Sequence, residues 1–337
     1  MKTIDWKNLG FGYSKADYNI RCWYRNGQWG ELEVSDSENI TLHIAATTLH
    51  YGQEAFEGLK AFRGKDGKIR VFRMEENAKR MQRSSQGIMM AEVSTALFTD
   101  VVRKVVKLNE EFVPPYESGA ALYIRPLLIG TGPQIGVKPA DEYLFMVMVM
   151  PVGPYFKEGF KPTDLVIYRE YDRAAPLGTG KIKVGGNYAA SLVAGDRAHH
   201  NGFSSVLYLD AREKKYIDEC GPANFFGIKG NSYITPKSDS ILPSITNMSL
   251  RQLAKDLGMN VEERQIAAEE LAEFDEVGAC GTAAVISPIK RVYDADKDIE
   301  YLYGTEPGKV CTQLYEKLRG IQYGTEQDSY NWTEIIE

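Results

Sequence analysis

In Lys181-Ile182-Lys183-Val184-Gly185-Gly186-Asn187-Tyr188 a lysine stands just before a glycine pair. Glycine lets a backbone turn tightly or approach a ligand, and Asn187 is a residue type that opens helices. A lysine carried before such a turn can be held rigidly with its amine aimed into a cleft. Desolvated, or set beside another cation, that amine has a lowered pKa and attacks carbonyl carbons. Alone, the octapeptide reads more readily as a solvated lysine beside a glycine loop.

Three later segments bear on the choice. Ile217-Asp218-Glu219-Cys220-Gly221-Pro222-Ala223-Asn224-Phe225-Phe226 puts a carboxylate at a strand end, ahead of a turn and an apolar strand. Such a carboxylate can pair with a protonated ring nitrogen, although a water-facing edge glutamate has the same pattern. Ile241-Leu242-Pro243-Ser244-Ile245-Thr246-Asn247-Met248-Ser249-Leu250 sets the first turn of a helix at 244–246, where N–H groups and the helix dipole favour an anion. Gly278-Ala279-Cys280-Gly281-Thr282-Ala283-Ala284 is small-residue backbone with one hydroxyl: a second anion-binding turn, or a tightly packed strand end.

Around these segments strands and helices mix without a strict βαβ rhythm, which predicts an α+β fold. Ile69–Met74 alternates like a strand and leads into a helix over 75–86. A second helix opens at Ser94 as N-cap, repeats Leu97, Val101, Val105, Leu108 and Phe112 on one face, and stops at Pro114-Pro115. In the strand 120–129, Leu122 and Ile124 face one way, and Tyr123 and Arg125 the other. The run 143–150 is apolar throughout and reads as a strand buried on both faces. Further strands are expected at 164–169, 204–209, 215–218, 225–229 and 232–235, and helices at 187–200, 244–257 and 310–321. The stretch from Pro151 to Gly159 breaks this pattern. It predicts a smaller domain over 1–150, a linker over 151–160 and a larger domain over 161–337.

With 43% hydrophobic and 26% charged residues the chain reads as an ordinary soluble globular protein, and 337 residues imply two domains. A net charge of −6, with no block of like charge, argues against a nucleic-acid or anionic-membrane surface. No apolar run is long enough to span a bilayer as a helix, and no secretory signal opens the chain, so the cytoplasm is the expected compartment. Cys22, Cys220, Cys280 and Cys311 are widely spaced, which predicts free thiols. His199 and His200 are adjacent and cannot share a helix face, so no metal is assigned.

Taken together, the four segments resemble the class IV, or fold type IV, pyridoxal-phosphate enzymes, whose order and spacing they keep. Within that class the amino-terminal half resembles the branched-chain amino-acid aminotransferases, through Leu49-His50-Tyr51-Gly52, Phe56-Glu57-Gly58-Leu59-Lys60-Ala61-Phe62-Arg63-Gly64, Arg80 to Ser84, and Leu122-Tyr123-Ile124-Arg125-Pro126. The resemblance runs from about Phe11 to Tyr293.

It implies two domains with the cofactor site at their interface, the 161–337 domain carrying the cofactor. Pyridoxal 5'-phosphate would be bound to Lys183 as a Schiff base, with the freed amine moving the Cα proton. Glu219 would face the pyridine nitrogen and Tyr188 the phenolic oxygen. Arg80, the Ile245 and Thr246 backbone and Thr282 would hold the phosphate. Thr282 and Ala283 would bind the substrate α-carboxylate, while Phe11, Phe56, Tyr155 and Tyr188 wall an apolar pocket. Tyr123 and Arg125 would tolerate the second carboxylate of 2-oxoglutarate. Residues matching Tyr51, Ile135 and Val137 reach from a neighbouring subunit in this family, which implies a homodimer. The implied reaction is transamination of leucine, isoleucine and valine with 2-oxoglutarate. Relatives acting on D-amino acids or aminodeoxychorismate would share Lys183 and Glu219, and a non-catalytic phosphate-ligand binder would share the glycine turns.

Three departures from the pattern stand out. Asn247 stands where a basic residue is more frequent. Pro222 removes a backbone donor after Glu219. Ala284 and Ser287 replace the C-x-x-C thiol pair of some animal members, so no redox switch of that kind is expected.

Overall fold

A computed structural model describes residues 4–6, 8–153 and 160–337. The chain divides into two compact units, Met1–Tyr155 with Ile182–Gly185 and Gly320–Glu337, and Phe156–Lys181 with Gly186–Arg319.

The first unit is built on a nine-stranded sheet. Eight strands come early: β1 (Asn19–Arg25), β2 (Gln28–Trp29), β3 (Glu33–Ser35), β4 (Glu54–Phe56), β5 (Leu59–Arg63), β6 (Ile69–Phe72), β7 (Ala121–Gly130) and β8 (Tyr143–Val152). The ninth, Thr333–Ile336, lies at the edge beside β6, and the order runs on through β5, β7, β8, β1 and β2. β3 pairs with β1 and β4 with β7, and every pairing in this sheet is antiparallel. Three helices accompany it: α1 (Thr47–Tyr51), α2 (Met74–Gly87) and α3 (Thr95–Leu108).

The period-two reading of β7 holds. Leu122, Ile124 and Leu128 enter the core with Val101, Val102, Val105 and Val106 of α3, while Arg125 and Leu127 are only half-buried. β8 differs from its expected burial on both faces. Tyr143, Phe145, Val147 and Val149 are core, but Met148 is 41% exposed, and Met146 and Met150 are half-buried. An apolar strand can leave one face open, and here that face is a row of methionines.

Ser94 caps α3 as expected, its hydroxyl accepting the Leu97 N–H at 3.1 Å. The helix nevertheless stops at Leu108, which is 37% exposed, well before the prolines. Asn109 ends it by donating to the carbonyls of Val105 (2.8 Å) and Tyr18 (3.0 Å), and Phe112 falls in a short 3₁₀ turn.

The second unit contains β9 (Thr163–Ile167), β10 (Ser205–Leu209), β11 (Ile217–Cys220), β12 (Ala223–Lys229), β13 (Ser232–Pro236), β14 (Asn260–Arg264), β15 (Glu276–Gly281), β16 (Val285–Asp294) and β17 (Ile299–Leu302). The order β11-β10-β9-β16-β15-β12 closes on itself because β12 also pairs with β11, giving a six-stranded ring. Closure removes edges that would otherwise need covering. Leu165, Ile167, Leu207, Leu209, Ile217, Phe225 and Val277 share one core. The alternate residues Val166, Val206 and Tyr208 pack on Ala194 and Ala198. The helices are α4 (Gly185–Ala190), α5 (Leu192–His200), α6 (Ile245–Asp256) and α7 (Lys309–Tyr323). The single helix expected over 187–200 is therefore two. Asn187 lies inside the first, its side chain turned back to Thr179, where its amide donates to the carbonyl at 2.7 Å and accepts from the hydroxyl at 2.6 Å.

The α+β class is as read, but the boundary is not. Pro151 and Val152 finish β8, and 154–159 lie outside the described residues. Residues 182–185 and 320–337 belong to the first unit, not to a continuous 161–337 domain. Backbone hydrogen bonds to β4 and β6 capture them, and such pairing leaves no local signature in sequence. Among the described residues no helix is long and apolar enough to cross a membrane, and no group of three or more His, Cys, Asp or Glu could hold a metal.

Candidate active site

Lys183 belongs to the first unit and its backbone is pinned from two sides. Its N–H donates to Ser84 Oγ of α2 at 2.9 Å, and its carbonyl accepts the Phe56 N–H of β4 at 3.1 Å. Two residues on, Gly185 packs against the Glu54 carboxylate, its backbone N–H favouring the charged form. A β-carbon at Gly185 would fall inside the radius of Glu54 Oε1, so a side chain there would displace the Glu54 carboxylate. The Lys183 ammonium nitrogen lies 4.5 Å from the centre of the Phe56 ring, within reach of a cation–π contact.

Register defines the surface beside it. Residues two apart on a strand, and residues directly opposed on antiparallel strands, share a face. Glu54 and Phe56 oppose Ile129 and Leu127 on β7, while Tyr123, Arg125 and Leu127 oppose Met150, Met148 and Met146 on β8. One sheet face thus combines an aromatic ring, a methionine row and a single guanidinium on β7. Arg125 donates to the Tyr123 hydroxyl (2.9 Å from Nη2) and sits 4.7 Å over the Phe56 ring. Among the described residues no carboxylate lies within ion-pair distance of it. Phe11 meets Tyr123 edge-on with ring centres 5.3 Å apart. Tyr155 lies outside the described residues.

Arg80 has a partner that the sequence did not suggest. Its Nε and Nη2 each donate at 2.7 Å to the two oxygens of Glu57, and Asn77 donates to the same carboxylate at 2.8 Å. All three are buried, so the pair neutralises two charges that would be costly alone. Tyr51, Ile135 and Val137 gather on the surface of this unit, with the Tyr51 hydroxyl donating to the Ile135 carbonyl and Val137 90% exposed.

In the second unit the two-residue turn Gly221-Pro222 sets Glu219 of β11 opposite Asn224 of β12. Glu219 is 2% exposed. Its Oε1 accepts from Asn224 Nδ2 at 2.8 Å and from the Leu242 N–H at 2.9 Å. Arg173 Nε lies 3.0 Å from Oε2, but its N–H is not aimed there, so the contact is ionic without being a hydrogen bond. Arg173 Nη2 is spent on the carbonyls of Gly180 (2.7 Å) and Ser240. Next to Glu219, buried Asp218 accepts from the Ser240 hydroxyl, and burial pushes its carboxyl above the usual range.

Asn247 faces inward. Its amide donates to Thr235 Oγ1 at 2.8 Å and accepts the Tyr233 hydroxyl at 2.9 Å, which accounts for an amide in place of a basic residue. Ser244 caps α6 by accepting the Asn247 N–H at 3.2 Å. The N–H groups of Ile245 and Thr246, in the first turn of this helix, have no acceptor among the described residues, although both residues are buried. Thr282 and Ala283 form the turn between β15 and β16. There Val285 has φ +68° and the Ile286 N–H bonds back to the Ala284 carbonyl at 2.9 Å. A branched residue in that region carries strain of about 1–3 kcal/mol, of the kind held at functional turns. Tyr188 stands half-buried on α4. Cys220, Cys280 and Cys311 are buried, and burial pushes all three thiols up, so they are poor nucleophiles.

A buried carboxylate held by a guanidinium and a capped helix start with two unsatisfied N–H groups suit a cationic ring bearing an anionic tail. Comparison with known proteins agrees. A family model described as amino-transferase class IV matches residues 54–292. Branched-chain-amino-acid aminotransferases of Haemophilus influenzae and Helicobacter pylori are each 47% identical, over 100% of both chains and 98% of both chains respectively. A branched-chain aminotransferase from T.th., solved with pyridoxamine 5'-phosphate, is 26% identical with a TM-score of 0.81, covering 96% of this chain and 99% of that one. At 25% identity and a TM-score of 0.79, with the same coverage, that aminotransferase has also been solved with N-(5'-phosphopyridoxyl)-L-glutamate and with 4-methylvaleric acid. The fold is that of class IV aminotransferases. Within them the chain belongs to the branched-chain-amino-acid aminotransferase family.

Proposed function

We propose that the protein transfers the amino group of L-leucine, L-isoleucine and L-valine to 2-oxoglutarate, using pyridoxal 5'-phosphate held by Lys183. One observation carries the substrate class: an apolar face of Phe56 and methionines surrounds an arginine that has no acid partner among the described residues. A branched aliphatic chain gains from each methylene buried there, by about 0.8 kcal/mol. The distal carboxylate of 2-oxoglutarate, which apolar walls alone would reject, is balanced by Arg125 and the Tyr123 hydroxyl. The ligands of the T.th. aminotransferase, one with a carboxylate side chain and one with a branched apolar chain, support the same pairing.

The residues present fit the cofactor. The Ile245 and Thr246 N–H groups, with Thr282, suit its phosphate, and the Arg80–Glu57 pair holds a guanidinium in fixed orientation for the same group. Glu219, kept in place by Arg173 and two donors, keeps the ring nitrogen protonated. When bound, pyridoxal phosphate supplies an electron sink for the pair of electrons left at substrate Cα. The backbone N–H groups of Thr282 and Ala283 orient the α-carboxylate. Lys183 Nζ takes the Cα proton and returns it later, and its pinned backbone limits where that nitrogen can reach. Tyr188 donates toward the phenolic oxygen. Tyr51, Ile135 and Val137 present apolar surface suited to a second copy of the chain in a cytoplasmic homodimer.

The test is the visible absorption of the purified protein together with steady-state kinetics. L-Leucine should shift the cofactor band and exceed L-alanine by about tenfold or more in kcat/KM, and Lys183→Ala should abolish both band and turnover. D-Alanine as preferred donor would leave the family standing and overturn the substrate reading.

A further inference from the structure

Glu54 is an acid that the reaction above does not use. It stands on β4 two residues before Phe56, and Ala55 between them is core, so Glu54 and Phe56 share the face that carries Arg125. Its carboxylate lies against the Gly185 backbone, whose N–H favours the charged form, and occupies the space a side chain at 185 would need. Arg125 is the cation whose charge it feels, yet no ion pair within 4 Å joins them, because Arg125 is turned to the Tyr123 hydroxyl. Burial pushes the Glu54 carboxyl up against the opposing pull of Gly185 and Arg125.

The same face must receive an aliphatic chain in one half of the cycle and a carboxylate in the other. A lone guanidinium beside an aliphatic chain is costly, and a fixed anion nearby reduces that cost. The same anion repels an incoming carboxylate. We propose that Glu54 is a specificity-determining residue: the resident counter-charge of Arg125, which favours apolar side chains on this face and opposes the distal carboxylate of a dicarboxylic substrate. The inference rests on the reading of Arg125 given under Proposed function.

Glu54→Gln keeps the size and shape of the side chain beside Gly185 and removes the charge. With the holoenzyme, binding of glutarate and of 4-methylpentanoate is read from the cofactor absorption and, independently, by calorimetry. The ratio of glutarate affinity to 4-methylpentanoate affinity should rise by about fivefold or more in Glu54→Gln, with the gain shrinking as salt is added. A ratio within about twofold of the parent protein's at low salt, where a charge effect is largest, overturns the proposal. Where Glu54→Gln does not give a cooperative melt, Glu54→Ala is read in its place with the same expected rise and the same overturning result. Arg125→Ala separates the two layers. If it leaves glutarate affinity unchanged, the distal-carboxylate reading fails and Glu54 falls with it. If it weakens glutarate while the Glu54 variants leave the ratio unmoved, only the Glu54 assignment fails.

Discussion

Arg173 determines what Glu219 can be. Both side chains are buried, and Glu219 would face a large desolvation cost as an anion without the guanidinium 3.0 Å away. Removing one partner of such a pair leaves the other buried charge with much less compensation. Arg173→Met should therefore lower the free energy of unfolding by about 3–5 kcal/mol, and adding Glu219→Gln in the same chain should recover part of the loss. Urea denaturation of the four proteins of that cycle measures it, and additive losses would show that the two side chains do not depend on each other. Little of this was legible in the sequence. Lys183 and Glu219 stood out because each heads a turn with a distinctive composition. Arg173, Glu57 and Glu54 carry no such local mark: the partners that place them, Ser240, Arg80 and Ile129, lie far away in the chain.

Elements were legible where one physical rule dominated. β7 alternates because one face meets α3 and the other does not, and α3 begins where a serine can cap it. β8 and the end of α3 were misread because composition does not say which apolar residues lie under cover. Asn109 ends the helix through a carbonyl on Tyr18 that no local pattern reveals. The loop joining β10 to β11 shows how much one side chain can organise. Asp210 accepts four backbone N–H groups, from Arg212 (3.2 Å), Glu213 (2.7 Å), Lys215 (2.9 Å) and Tyr216 (2.8 Å). Burial works against its charged form, but the four donors outweigh it and hold the carboxyl below the usual aspartate value. A carboxyl depressed in the folded state adds stability above its unfolded pKa, near 3.9, and loses it as pH falls through the lower folded value. Asp210→Asn should accordingly melt below the parent protein at pH 7, with the gap closing as pH drops below about 4. A gap that is constant with pH would mean that the loop is held by shape and not by the charge.

At the scale of the whole molecule the chain does not divide where its punctuation does. Pro151 to Gly159 looks like a linker, yet the last eighteen residues return to the first unit, which the early strands build. The strand Thr333–Ile336 covers the edge of β6 along its full length. Trp332 stacks on Tyr330 with ring centres 4.1 Å apart, meets Phe72 edge-on at 5.9 Å, and lies under the Arg73 guanidinium at 4.9 Å. Glu334 pairs with Arg103 of α3 through Nε at 2.5 Å and Nη2 at 3.1 Å. Deleting residues 328–337 would strip β6 of its outer partner, uncover the Phe72 ring and expose a row of unpaired backbone groups. Hydrogen exchange followed by mass spectrometry should therefore show loss of protection over Ile69–Phe72 in the truncated protein. The ring strands β9 to β12 should keep theirs, because that sheet closes on itself without the tail. Equal loss of protection in both sheets would mean that the two units unfold as one and that the tail stabilises the whole chain; unchanged protection of β6 would mean that its edge needs no cover.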